Sequence, residues 1–118
     1  MMRIGRDFTK TATLALAGGL LIVFTGSMAF ADAKADYDKN CKACHGISGK
    51  GDGPAAKVLK PPPLDFGTAL KGKSDADIAK VIKEGGKAVG KAASMPAYAT
   101  KLTDDQIQAV VKYIKEVK

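Results

Sequence analysis

Apolar and polar positions divide this chain into a basic start, an uncharged stretch, and a polar remainder in which apolar residues return at helical spacing. Arg3, Arg6 and Lys10 precede 21 uncharged positions, Thr11 to Ala31, and the next charged residue is Asp32. Leu14 to Phe24 is the most apolar part, and Ala29-Phe30-Ala31 places small residues on either side of one position. This is the layout of a secretory signal peptide cut after Ala31. An uncleaved anchor is the alternative, since about 20 helical residues cross about 30 Å of hydrocarbon. The glycines and threonines that dilute the stretch favour the leader, and Arg3 and Arg6 are not the adjacent pair of the twin-arginine route.

From Asp32 onward, Ala33, Tyr37, Cys41 and Cys44 recur at offsets of four, four and three, which predicts a helix over Asp32–Cys44. Gly46, Gly49, Gly51, Gly53 and Pro54 end it in a loop, and Pro61-Pro62-Pro63 forces an extended run into Leu64 and Phe66. Ser74 with Asp77 marks a helix start, Ile78, Val81 and Ile82 give its apolar stripe, and Gly85-Gly86 stops it. Lys87 to Tyr98 has no period and reads as an irregular loop. Thr103 and Gln106 form a second capping box, with Asp104 and Asp105 at the positive end of the helix dipole. Ile107, Val110, Val111, Ile114 and Val117 then make the clearest stripe in the chain. No segment alternates at period two. The prediction is an all-α domain of three to four short helices with long loops.

Removing residues 1–31 leaves 87, one small domain over 32–118. That domain holds 16 lysines, no arginine and 11 acids, a net charge of +5. Without arginine the forked contacts to phosphate and guanine are missing, which argues against nucleic acid as a partner. Lysines spaced singly among acids instead form a solvated surface suited to an acidic protein partner. A domain this short rarely fills its own core and usually recruits a staple. A Cys41–Cys44 disulfide would close too small a loop to serve.

Cys41-Lys42-Ala43-Cys44-His45 is the attachment motif for c-type haem. Residues three apart share one helix face, so both thiols reach the same macrocycle while the next residue offers its imidazole to the iron. A structural zinc needs four ligands, and the domain has two cysteines and one histidine. A thioredoxin-like dithiol needs a βαβ setting that the pattern does not supply. Haem also accounts for the missing core.

His45 is the only histidine, and Met1, Met2 and Met28 all precede Asp32, so Met95 is the foremost candidate for the distal ligand. Pro96 stiffens the turn that would present its sulfur. Lysine ligation, an open iron, or Met95 as core filler are the alternatives. A His/Met pair raises the reduction potential and suits electron transfer.

In this order of features the sequence resembles a small bacterial class I (monohaem) cytochrome c over Asp32–Lys118. The features are the haem motif at the end of a first helix, Gly53-Pro54, a Met-Pro loop, and a C-terminal amphipathic helix. The resemblance implies that the first and last helices cross beside one covalent haem c and its iron. Tyr37 matches the aromatic of that crossing, Tyr113 and Ile114 match the partner helix, and Ala33 stands where the family usually has glycine. Pro54 matches the proline whose carbonyl accepts the ring N–H of the proximal histidine, here His45. Leu59, Leu64, Phe66, Ile78, Ile82 and Tyr98 are read as pocket lining.

The functional expectation is a periplasmic, monomeric single-electron carrier, not an enzyme. It would meet redox partner proteins through exposed lysines such as Lys42, Lys57, Lys87 and Lys91, without stable membrane insertion once the leader is removed. Two other classes remain: a gas sensor or peroxidase-like protein with a labile distal ligand, and a membrane-anchored subunit of a redox complex. Against a peroxidase stands the lack of a distal histidine or arginine.

Overall fold

The two capping boxes set the helices that organise this fold. Residues 18–19 and 25–117 are described by the structure, a computed structural model. Among them five α-helices and no strand occur: α1 (Thr25–Asn40), α2 (Lys42–His45), α3 (Phe66–Ala69), α4 (Asp75–Glu84) and α5 (Asp104–Val117). Two 3₁₀ turns, Pro54–Val58 and Lys87–Val89, complete the helical segments. The architecture is the all-α one expected, with long loops.

At the start of α4 the Asp77 amide donates to Ser74 Oγ (3.1 Å) while the Ser74 amide donates to the Asp77 carboxylate (3.2 Å). Thr103 and Gln106 exchange the same pair of bonds before α5, at 2.8 and 3.2 Å. Each box satisfies two amides that the first helical turn leaves without partners. Behind the caps, the apolar stripes face inward. Ile107, Val110, Val111 and Ile114 of α5 are buried with Ile78, Ala79 and Ile82 of α4.

α5 packs against both α1 and α4. On α1 the inward face is Ala33 and Tyr37, both buried. Tyr37 is wholly enclosed, its ring 5.2 Å from that of Tyr113, and its hydroxyl donates to the Gly46 carbonyl at 2.6 Å. That bond fixes the turn after His45 to the last turn of α1.

The helix predicted over Asp32–Cys44 differs at both ends. It begins at Thr25, upstream of the expected cleavage point, and Phe30 rests on Tyr113 with ring centroids 5.3 Å apart. It also breaks at Cys41, where the backbone relaxes to φ −119°, before α2 resumes for a single turn. The leader residues before Thr25 otherwise lie outside the described residues, apart from the exposed Gly18 and Gly19.

Two glycines are required by close approach. A Cβ on Gly53 would lie 2.2 Å from the Ala43 carbonyl oxygen, so this loop runs directly against the α2 backbone. One on Gly86 would lie 2.0 Å from the Ala92 carbonyl oxygen, where the loop before Met95 folds back.

Ile107→Ala is expected to lower unfolding stability by about 3 kcal/mol, against a change within about 0.5 kcal/mol for exposed Lys112→Ala, measured by denaturant titration. Gly53→Ala, an overpacking change against backbone, is expected to cost about 2 kcal/mol in the same assay.

Candidate functional site

The break in the first helix creates the attachment turn. The Cys41 amide still closes onto Tyr37 (2.8 Å), but the amides of Cys44 and His45 both turn to the Cys41 carbonyl, at 3.2 and 2.9 Å. Cys41, Cys44 and His45 thereby stand on one tight turn, each half-buried, with both thiols free. Burial, and then the nearby Asp36 and Cys44, push the Cys41 thiol up to about 12, so it is protonated at neutral pH.

His45 is held from the side. Its ring stacks on Phe66 with centroids 4.8 Å apart and planes at 29°. Phe66 is fixed by its amide, which donates to the Gly49 carbonyl at 2.8 Å, and by Asp65, which caps the following turn through the Gly67 amide at 2.6 Å. Tyr37 meets the Phe66 ring edge-on at 6.4 Å. Burial lowers the imidazole's proton affinity, so His45 is neutral at pH 7, the form that ligates a metal.

The bond expected from the His45 ring to the Pro54 carbonyl is not made. His45 Nδ1 is buried without any hydrogen-bond partner. The ring lies flat on Phe66, and exposed Pro54 opens a 3₁₀ turn, whose geometry directs its first carbonyl toward the amide three residues on.

Met95 sits half-buried against the apolar cluster that also borders Cys41. Its loop is tied by two backbone bonds: Gly86 donates to the Met95 carbonyl at 2.9 Å, and Met95 donates to Ala92 at 3.2 Å. Three residues on, Tyr98 is buried in that cluster, and its hydroxyl donates to the Asn40 carbonyl at 2.8 Å. Burial raises the Tyr98 phenol, which keeps it a donor.

Of the residues read as pocket lining, Phe66, Ile78, Ile82 and Tyr98 belong to the cluster and Leu59 is half-buried. Leu64 does not belong: it ends the proline run facing outward, 66% exposed. Lys42, Lys57, Lys87 and Lys91 are all exposed. Sequence reasoning missed the Phe66–His45 stack and the Tyr98–Asn40 bond. A buried tyrosine hydroxyl needs a partner, which was the available signal for the second.

A half-buried, neutral imidazole with a buried, unpartnered ring nitrogen, beside two free thiols on one turn, is chemically suited to a covalently attached, iron-bearing macrocycle. Among the described residues, no group of three His, Cys, Asp or Glu side chains is placed to hold a bare metal ion. The donor set therefore fits haem better than zinc.

Comparison with known proteins gives the same direction. The family model described as Cytochrome c matches residues 30–118. The cbb3-type cytochrome c oxidase subunit CcoP of Azospirillum brasilense is 32% identical over 90 residues, covering 76% of this chain and 29% of that protein. The CcoP subunit of Azospirillum sp. (strain B510) is also 32% identical over 90 residues, covering 71% and 27%. The chain thus spans less than a third of the length of these curated relatives. Among solved structures, the reducing HAO-like protein complex Kustc0457/Kustc0458 of Kuenenia stuttgartiensis superposes with TM-score 0.62 at 26% identity, covering 77% of this chain and 44% of that one. The KustC0563 c-type cytochrome superposes with TM-score 0.56 at 26% identity, covering 74% and 98%. With the family model spanning the helices and the attachment turn alike, this chain belongs to the cytochrome c family, in its class I form, whose covalent haem c serves haem-based electron transfer.

Proposed function

We propose that this chain is a periplasmic carrier of single electrons with one haem c, joined through Cys41 and Cys44 and ligated by His45 and Met95. The observation that carries this reading is the half-buried His45 with a buried, unpartnered ring nitrogen, on the same turn as two free thiols. The haem supplies a one-electron couple at its iron, and the chain supplies everything that holds and tunes it.

Cys41 and Cys44 fix the macrocycle's orientation by sharing one turn. Phe66 and Tyr37 hold the His45 ring at a set angle, and burial keeps it neutral. Met95 would offer a soft thioether from the loop before Tyr98, a ligand type that raises the reduction potential and closes the iron to oxygen. The cluster of Ile78, Ile82, Tyr98 and Leu102 excludes water from that side. Burial of this kind is one of the levers on potential. His45 is the only histidine of the sequence and no arginine follows Arg6, a composition that supports the carrier over a peroxidase-like reading. Exposed Lys42, Lys57, Lys87 and Lys91 would meet acidic patches on redox partners and speed encounter at low ionic strength.

In this reading the chain is exported, its leader is cut after Ala31, and the domain 32–118 acts as a soluble monomer. A second reading, a tethered subunit of a redox complex, is favoured by one contact: Phe30, within the expected leader, packs on Tyr113. The oxidase-subunit names of the relatives agree with it. Both readings share the haem site.

Three measurements test these proposals. Purified from the periplasm of a strain that matures c-type haem, the wild type should show a low-spin spectrum with the far-red methionine-to-ferric-iron band, and Met95→Ala should lose it and lower the reduction potential. An unchanged spectrum in Met95→Ala excludes Met95 as ligand. Cys41→Ala with Cys44→Ala should abolish haem staining on a denaturing gel, and persistent staining would refute attachment there. The intact mass of the exported holoprotein should correspond to residues 32–118 plus one haem, whereas retention of residues 1–31 would favour the tethered subunit.

A further inference from the structure

We propose that Tyr98 is a positioning residue that ties the Met95 loop to the turn carrying Cys41 and Cys44, through its hydroxyl bond to the Asn40 carbonyl. The inference rests on the reading of Met95 as distal ligand and adds to it the device that holds the ligand in place.

The geometry is specific. Asn40 is the last residue of α1 and precedes Cys41 directly. The break at Cys41 diverts the Cys44 amide, which would close a helical turn onto Asn40, to the Cys41 carbonyl at 3.2 Å. The Asn40 carbonyl is then one of the helix-end acceptors that need a partner from elsewhere. Tyr98, 58 positions later, supplies it at 2.8 Å. A phenylalanine would fill the same space and leave that carbonyl without this donor.

The other end of Tyr98 is anchored to the Met95 side. Its amide donates to the Ile82 carbonyl at 3.0 Å, and its own carbonyl accepts from Leu102 at 2.9 Å. The ring lies in the core, with Lys101 Nζ 5.4 Å from its centroid. Between Gly86 and Tyr98 the described chain is a short 3₁₀ turn and irregular backbone, and Met95 is only half-buried. Tyr98 is therefore where the loop meets both the core and the attachment turn. Swinging Met95 away from the macrocycle would strain or break the bond to Asn40, so the bond opposes displacement of the ligand.

The test is competition by exogenous imidazole for the ferric holoprotein, followed by loss of the far-red band. Tyr98→Phe removes one oxygen and leaves the ring packed. Ser74→Ala is the control, because its hydroxyl also makes a single bond, accepting from the Asp77 amide at 3.1 Å, but caps α4 and touches neither the Met95 loop nor the attachment turn. Tyr98→Phe is expected to retain the far-red band and to lower the apparent imidazole Kd about fivefold, the ratio corresponding to the net contribution of one buried hydrogen bond. Ser74→Ala is expected to lower the thermal midpoint while leaving that Kd within about twofold of wild type. A Tyr98→Phe Kd within about twofold of wild type, or an equal change in both variants, overturns the tether. A wild-type protein without the far-red band overturns the Met95 reading itself, and the tether falls with it.

Discussion

Tyr37 is the side chain on which the two halves of this fold meet. It is wholly buried, packs its ring at a tilt against Tyr113 of α5, meets Phe66 edge-on, and donates its hydroxyl to Gly46. Each contact constrains a different part: Tyr113 sets the crossing of α1 with α5, Phe66 presses on the His45 ring, and Gly46 closes the turn after it. A buried hydroxyl without its acceptor would cost about 1–3 kcal/mol, so the turn is held in register with the helix crossing. The orientation of His45 thus follows from helix packing as much as from its own motif.

The economy of the domain follows from its size. Its core is a modest cluster from α1, α4 and α5 joined by Phe66, Tyr98 and Leu102, and the attachment turn and Met95 lie at its border. Long loops reach that border by running backbone against backbone, which is why Gly53 and Gly86 cannot carry a side chain. Covalent attachment of a large apolar ring complements such a domain, since small cores gain most from an added staple. The surface pairs Lys83–Asp104 and Lys115–Asp75 tie α4 and its surroundings to α5, but exposed pairs of this kind contribute about 0–1 kcal/mol.

Much of this was legible in the residues because it is local. Both capping boxes, the α4 and α5 stripes and the loop character of the glycine cluster depend on spacings of three or four, which a linear reading captures. The haem motif is equally local. What the reading missed depends on partners far apart: the break at Cys41, the stack of His45 on Phe66 and the bond from Tyr98 to Asn40. The single-turn helix Phe66–Ala69 is too short to show a period, although Asp65 already carried a capping signal. The expected Pro54 acceptor came from family resemblance, and in this structure the ring packs on Phe66 without that bond.

The central claim is that the Met95 thioether would join His45 as a ligand of the haem iron. The direct measurement is a proton–carbon NMR spectrum of the reduced holoprotein labelled at the methionine methyl carbon. Met95 is the only methionine after residue 31, so one signal reports on it without assignment once the leader is gone. Ligation predicts that this methyl is displaced far upfield by the ring current of the macrocycle it lies against. A methyl resonance at the ordinary methionine position would contradict the account.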